Sequence, residues 1–472
     1  MLVDPGQGSD MIVYDEQFMT FAKPEDVGLK DVKRFKNTTL NVREMTFDNV
    51  YPVPAGTLNI EPVKGDDVPL TERVTGTANE GTFVQLLSRG PQDVFLTYNP
   101  QVSFFKQVYR RYTNFAVEAA EETFSTTVNF GQKNICQLSK KGDLVGSMSF
   151  RITLPNLNIP GGTWVDTIGY NVLGLVRLRV GDFVLQAHEG VYMDIDDKLF
   201  CSSEKYDGIS QLVGRGVVYS TNQENEIIIP LKFFNCYRPG TKQQYIPILN
   251  LEPNIEVFVE FVLKPLSLLV NLPVGTSVPT VSSIDAGVIV DYVFLDDYEK
   301  HRFAQNPSRY LIEQTPVIDT PTYLTTTGGL TVQQSTVTVQ LRELNKPTKF
   351  ISVVVLGAND FTSFTYYDII NSGTLYINSD KQFQERSGEY WNLVQPYQHF
   401  TRSIPQNNIY VFSFALDASS FQPNGFLNFA SYVKTMLSFD IAKQTTPMRL
   451  KTTAVCLNWV EFSSGTAKLL FN

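Results

Sequence analysis

Ser147-Met148-Ser149-Phe150-Arg151-Ile152-Thr153-Leu154 alternates without a break. Met148, Phe150, Ile152 and Leu154 fall on one side, and Ser147, Ser149, Arg151 and Thr153 on the other. An extended chain sends successive side chains to opposite faces, so this stretch predicts a strand with one face in a core. The same texture continues outward. Val176, Leu178 and Val180 alternate with Arg177 and Arg179. Gly181-Asp182 then supplies a two-residue hairpin signal before Phe183-Val184-Leu185. Further strands are predicted over Phe124–Phe130, Ile227–Phe234, Ile255–Leu263 and Val288–Leu295. Beyond residue 300 they recur over Val332–Leu341, Phe350–Leu356, Leu375–Asn378, Ile409–Leu416, Thr435–Ile441 and Leu450–Phe462. Within Ile409–Leu416 both faces are apolar, apart from Ser413, as in a strand buried between layers. Helical signals are few: Ala116–Glu122 and Asp297–Ala304.

Composition agrees. Charged residues make up 18% of the 472, below the ~25% usual for soluble domains, and aromatics make up 12%, which favours strands. An all-β chain of sandwiches or jelly rolls is expected. The charge-dense Asp296–Phe303 and the breaker Asn306-Pro307-Ser308 divide it into two β-domains, each the size of an eight-stranded jelly roll. The expected division is an extended N-terminal arm (1–82), a first jelly roll (83–300), a linker (301–315) and a second jelly roll (316–472). Lys264–Ile284 and Gly357–Ser372 read as long excursions from the two domains. The arm is acidic. Residues 1–81 hold 8 Lys+Arg against 14 Asp+Glu, or −6 of the total −9, and leave only −3 on the remaining 391. Such a balance argues against a mainly phosphate-neutralising role and gives a body with weak mutual repulsion between copies.

Chemistry-bearing motifs are scarce. Cys136, Cys201, Cys236 and Cys456 are far apart, without metal or redox spacing, and read as buried free thiols. His188, His301 and His399 form no zincin pattern and read as surface or loop residues. No G-x-S-x-G elbow, Walker A or G-x-G-x-x-G stretch occurs. Asp194-Ile195-Asp196-Asp197 lacks the glycine and distal Glu of a calcium loop and reads as a solvated loop or helix start. Glu118, Glu121 and Glu122 read as surface charge. Asn37-Thr38-Thr39 makes Asn37 the candidate glycosylation position, although no signal peptide accompanies it. No apolar run reaches the length of a membrane span. One cationic–aromatic cluster stands out, Phe104-Phe105-Lys106-Gln107-Val108-Tyr109-Arg110-Arg111-Tyr112. Single-stranded nucleic-acid stacking is one reading of it. A packed interface with the cations paired to carboxylates is the preferred one.

Several ordered stretches resemble the major capsid proteins of nucleocytoplasmic large DNA viruses. They are Gln92–Thr97 with Asn99–Val102, Phe104–Phe115, and Asp291–Asp296 with Arg302–Gln305 and Tyr310–Gln314. Val394–Gln398 follows, and then Tyr410–Leu416 with Gln422-Pro423, Gly425 and Asn428-Phe429. The resemblance runs from about 83 to the C-terminus. It implies a double jelly roll, a homotrimer with a pseudo-hexagonal footprint, and an icosahedral shell that is commonly built over an internal membrane. On that reading the chain is a late, structural virion protein, assembled in the host cytoplasm, with no catalysis and no cofactor. Its expected partners are itself, neighbouring capsomers, and minor capsid and penton proteins, but not nucleic acid of specific sequence. Lys106, Tyr109, Arg110, Arg111 and Tyr112 are the expected subunit contact. Two rivals stay open at this stage: a minor capsid protein of the same fold, and a β-sandwich hydrolase or glycan-binding module.

Overall fold

The Ser147–Leu154 alternation lies inside an eleven-residue strand, Leu144–Leu154, in a computed structural model of the chain. The structure describes residues 11–15, 18–22, 82, 91–105, 109–238, 242–324, 335–357, 364–378, 380–400, 408–442 and 448–471. Residues 1–111 and 112–472 are separate compact units. In the first, β1 (Met11–Asp15) and β2 (Phe18–Ala22) form an antiparallel hairpin, and Pro91–Thr97 is a short helix. Asn37, and most of the arm in which it falls, lies outside the described residues.

The second unit holds the β-architecture. Its first half runs β3 (Phe115–Thr123), β4 (Lys133–Leu138), β5 (Leu144–Leu154), β6 (Thr163–Trp164), β7 (Leu173–Val180), β8 (Phe183–His188), β9 (Asn225–Pro230), β10 (Ile246–Pro247), β11 (Val257–Leu263), β12 (Val270–Asn271) and β13 (Ala286–Leu295). Its second half runs β14 (Ser308–Gln314), β15 (Val317–Leu324), β16 (Ser335–Gln340), β17 (Pro347–Gly357), β18 (Ile370–Ile377), β19 (Asp380–Lys381), β20 (Arg386–Ser387), β21 (Tyr410–Ser413), β22 (Leu427–Asn428), β23 (Thr435–Ile441), β24 (Met448–Ser463) and β25 (Thr466–Leu469).

Pairing order identifies the topology. The first half has sheets β10-β5-β13-β3, with β9 on β5, and β4-β11-β7-β8. The second has β14-β24-β17-β21 and β16-β23-β18-β19. When the principal strands of each half are counted from one to eight, both halves give 1-8-3-6 facing 2-7-4-5. This is the jelly roll: two Greek keys folded into a sandwich. The molecule is therefore all-β and contains two jelly rolls in tandem. The Gly181-Asp182 hairpin forms as expected, pairing Val180 with Phe183, and Gly181 takes the φ of +55° that the tight turn demands.

Each roll buries its alternating faces. Phe150 stacks on Phe261 across the first sandwich at 4.4 Å, and Trp391 on Phe412 in the second at 4.0 Å. β17 is different, because its interior is buried on both faces. Ile351, Val353 and Val355 enter the core of the second roll, whereas Phe350, Val354 and Leu356 face another cluster containing Tyr192, Ile195, Leu199 and Phe200 of the first half. β21 divides likewise: Tyr410 and Phe412 point inward, and Val411 points outward. Within the apolar run Ile409–Leu416, Tyr410–Ser413 is thus a strand between layers, whereas Leu416 is exposed.

Some expectations are corrected. Ala116–Glu122 is not a helix but most of β3, paired from Phe115 to Thr123 with β13. A helix of that length is marginal in isolation, and a full antiparallel ladder outweighs its propensity. The alternation at Phe124–Phe130 belongs to a connection rather than a strand, although Val128 and Phe130 still enter the core. Lys264–Ile284 is pinned at its start by the buried Leu266, Leu269 and Val270 and at its end by the buried Ile284, and is mostly exposed between them. Part of Gly357–Ser372 lies outside the described residues.

Phe412→Ala removes a fully buried ring stacked on Trp391. It should cost about 3–5 kcal/mol of unfolding free energy, read as a lower denaturation midpoint at unchanged slope.

Candidate functional site: a buried junction between the two rolls

The junction is built by an insertion between the fifth and sixth strands of the first roll. After β8 the chain forms a helix, Gly190–Phe200, and then a second, Ser203–Val213. Gly190 permits the approach: a Cβ there would lie 2.1 Å from the Tyr170 carbonyl oxygen. Tyr192, Ile195, Leu199 and Phe200 cover the outward face of β17, β21 and β24, meeting Phe350, Val354, Val411 and Val455. Phe200 packs edge-on against Phe400 at 5.3 Å.

The polar side of that helix carries Asp194, Asp196 and Asp197, all fully or nearly fully buried. They form neither a solvated loop nor an open cation site, because each has basic partners. Asp194 accepts from Arg215 (2.6 Å) and Tyr366 (2.7 Å) and pairs with Lys198 (2.8 Å). Asp196 meets Arg238 at 2.5 Å, and Asp197 accepts from Lys232 (2.5 Å) and Tyr170 (2.7 Å). Arg238 reaches on to Glu313 of β14 (2.6 Å), which also takes Lys349 of β17 (2.7 Å). Lys451 of β24 pairs with Glu189 at 2.7 Å. Neutral bonds complete the seam. Gln186 donates to the Glu313 carbonyl, Gln314 to that of Leu185 and Thr315 to that of Ala187.

Burial and charge compete at these groups. Burial pushes the Glu313 carboxyl up, but Arg238 and Lys349 together pull it down to about 2. Burial dominates at Asp196 and leaves its carboxyl raised despite Arg238 and Lys232. Burial disfavours charge on Lys232, yet Asp197 and Asp196 hold its pKa above the ordinary lysine value. His188 is buried rather than superficial, stacked on Tyr192 at 5.1 Å with Nδ1 3.0 Å from Thr315 Oγ1. Burial, with Arg238 nearby, lowers its pKa to about 3, so the ring is neutral.

Other sequence-derived candidates fall elsewhere. Glu122 is buried, and hydrogen bonds from Ser139, Lys141 and Tyr292 outweigh burial and lower its pKa. Glu118 and Glu121 are exposed, and Glu121 pairs with Arg151. His301 is exposed and His399 half-exposed. All four cysteines are buried and free of disulfides, and burial raises the Cys136 and Cys236 thiols to about 12. Among the described residues no group of His, Cys, Asp and Glu is arranged to hold a metal ion, and no helix is long and apolar enough to cross a membrane. Lys106 lies outside the described residues, while Tyr109, Arg110, Arg111 and Tyr112 are exposed in the single chain.

Comparison with known proteins places this architecture. Residues 103–296 match the family described as major capsid protein N-terminus, and residues 299–458 match large eukaryotic DNA virus major capsid protein. The major capsid protein of Paramecium bursaria Chlorella virus 1 is 30% identical over 397 residues, spanning 76% of this chain and 86% of that protein. The chain belongs to the major capsid protein family of large eukaryotic DNA viruses. The major capsid protein of Pyramimonas orientalis virus is 29% identical over 83% of this chain and 99% of its own length. In structure, the chain superposes on a subunit of the quasi-atomic PBCV-1 virus capsid with a TM-score of 0.66 and 26% identity, covering 78% of this chain and 100% of that one. The Faustovirus major capsid protein shares the fold, with a TM-score of 0.56 at 10% identity. A double jelly-roll capsid protein is a structural component of the virion shell, and the junction is the part that makes its two rolls one body.

Arg238→Met strands Asp196 and Glu313 beside Lys232 and Lys349 and should cost about 3–5 kcal/mol in denaturant titration. His188 gives the junction an acid response. Its folded pKa of about 3 lies below the ordinary 6.5, so its contribution is complete above 6.5 and falls as pH drops toward 3. Stability should fall by roughly 1.5 kcal/mol from this group between pH 6.5 and 5, and His188→Gln should flatten that slope.

Proposed function

We propose that this capsid protein works as a homotrimer with a pseudo-hexagonal footprint, and that these trimers tile an icosahedral shell. The observation that carries the reading is the joined pair of rolls. Two sandwiches related by the same topology, locked by an apolar plug and ion pairs, make a wide block with two similar lobes. Three such blocks closing by cyclic symmetry give six similar lobes in a ring. The likeness over the full length of a subunit in the PBCV-1 capsid supports it.

The remaining assignments belong to the same reading. The working division is an arm over 1–82, rolls over 83–300 and 316–472, and a linker over 301–315. Phe104, Phe105, Tyr109 and Tyr112 are among the most exposed large apolar side chains, which suits a subunit contact involving Lys106, Tyr109, Arg110, Arg111 and Tyr112. Neighbouring capsomers, minor capsid and penton proteins and an internal viral membrane are the partners. Expression is late and assembly takes place in the host cytoplasm. The charged groups of the junction neutralise one another, so they serve cohesion rather than acid–base turnover.

Light scattering on the purified full chain should give about 160 kDa, three copies of 53.2 kDa. A monomer at micromolar concentration overturns the trimer. Charge reversal at Arg110 and Arg111 together should weaken association about tenfold, close to 1.4 kcal/mol; an unchanged dissociation midpoint removes these residues from the contact.

A further inference from the structure

The two rolls repeat one topology, so their insertions can be compared position by position. In the first roll the insertion between strands five and six is the Gly190–Phe200 helix, whose apolar side covers the outward face of the 1-8-3-6 sheet of the second roll. In the second roll the same position holds Tyr390–Val394, a π-helical turn continuing into the helix Gln395–His399. Its inner side, Trp391, Asn392, Gln395 and Pro396, is buried. Its outer side presents Leu393 and Val394, both partly exposed, Tyr397, 78% exposed, and the polar Gln398. Leu416, 76% exposed, lies beside the end of this helix, its carbonyl oxygen 3.1 Å from His399 Nδ1.

A matching face is open on the first roll. The outward side of its 1-8-3-6 sheet is apolar at one end, where Phe115 and Val117 of β3 pair with Leu295 and the buried Val293 of β13, and polar beyond it, where Asp291, Glu121 and Arg151 lie. Phe115 and Val117 are 54% and 56% exposed. The corresponding face of the second roll is covered over Phe350, Val354, Val411 and Val455, within the same chain, by the insertion of the first.

We infer that the Leu393–Tyr397 and Leu416 surface of one copy seats on the Phe115–Val117 face of the first roll of a second copy. This inference rests on the trimer reading and specifies its contact. The seam within a chain, first-roll insertion onto second-roll sheet, is then repeated between chains as second-roll insertion onto first-roll sheet. A head-to-tail contact of this kind uses two different patches and closes when the rotation fits a ring. Each patch carries exposed apolar side chains, Tyr397 and Leu416 on one and Phe115 and Val117 on the other, as in an interface core awaiting its partner.

The test uses full-length chains. Tyr397→Cys and Val117→Cys are made separately, mixed, allowed to exchange, and treated with a short bis-maleimide. The four native cysteines are buried and should stay silent. A covalent two-chain band in the mixture, absent from either variant alone, is expected. Tyr397→Glu with Leu416→Glu should abolish the trimer peak while the thermal transition stays within a few degrees of wild type. If wild type is trimeric but the mixture gives no covalent pair and the Glu variant remains a trimer, this contact is wrong and the trimer stands. If wild type itself is a monomer, both fail.

Discussion

The outward face of the β17–β21–β24 sheet cannot meet water as it stands. Phe350, Val354, Leu356, Val411 and Val455 present an apolar surface, interrupted by the paired Ser352 and Thr453, on the side of the sheet opposite the sandwich core. Each such side chain contributes roughly 1.5–3 kcal/mol when buried, so covering the set decides whether the second roll persists as a separate body. The Gly190–Phe200 helix provides the cover. Its placement fixes the rest of the junction, because the helix that brings Ile195 and Leu199 to the sheet also drives Asp194, Asp196 and Asp197 into a dry seam.

Three neighbouring carboxylates in such a seam carry a large desolvation cost, which only close cations and hydrogen bonds offset. The first roll supplies Lys198, Arg215, Lys232 and Arg238, and the second roll supplies Tyr366 as well as the Lys349 that meets Glu313. An apolar plug alone would tolerate sliding, since oily contacts are non-directional. Ion pairs at 2.5–2.8 Å are not, and Arg238 bridging Asp196 to Glu313 admits one register of roll upon roll. The helix supplies cohesion, and the charges supply orientation.

Much of the fold was legible because strands write their period locally. The β5 and β7 alternations, the Gly181-Asp182 turn and the two-faced run at Tyr410–Phe412 each carried their own structural meaning. The junction was less legible. Asp194, Asp196 and Asp197 look like any acidic surface stretch, since the basic groups that meet them lie at 215, 232 and 238, distant in sequence. A usable signal was present: Tyr192, Ile195 and Leu199 recur at helical spacing on one face, so the helix needed an apolar partner. The β3 error has the opposite cause. Local propensity at Ala116–Glu122 was read correctly, but the ladder to β13, some 170 residues away, decides the conformation. His188 is hidden for the same reason: Thr315 and Phe233, distant in sequence, enclose it together with Tyr192.

Electrostatics also separates two kinds of cohesion in one molecule. Most of the formal charge imbalance sits in residues 1–81, while the junction nearly balances internally: five carboxylates, Glu189, Asp194, Asp196, Asp197 and Glu313, face six cations, Lys198, Arg215, Lys232, Arg238, Lys349 and Lys451. Buried pairs are screened little by salt, whereas exposed charges lose reach beyond about 8 Å at physiological ionic strength. The union of the two rolls is therefore screened little by the ionic surroundings, while the exposed side chains of Arg110 and Arg111 are screened strongly. A shell subunit needs the first of these: a block whose two rolls do not come apart when the ionic surroundings change.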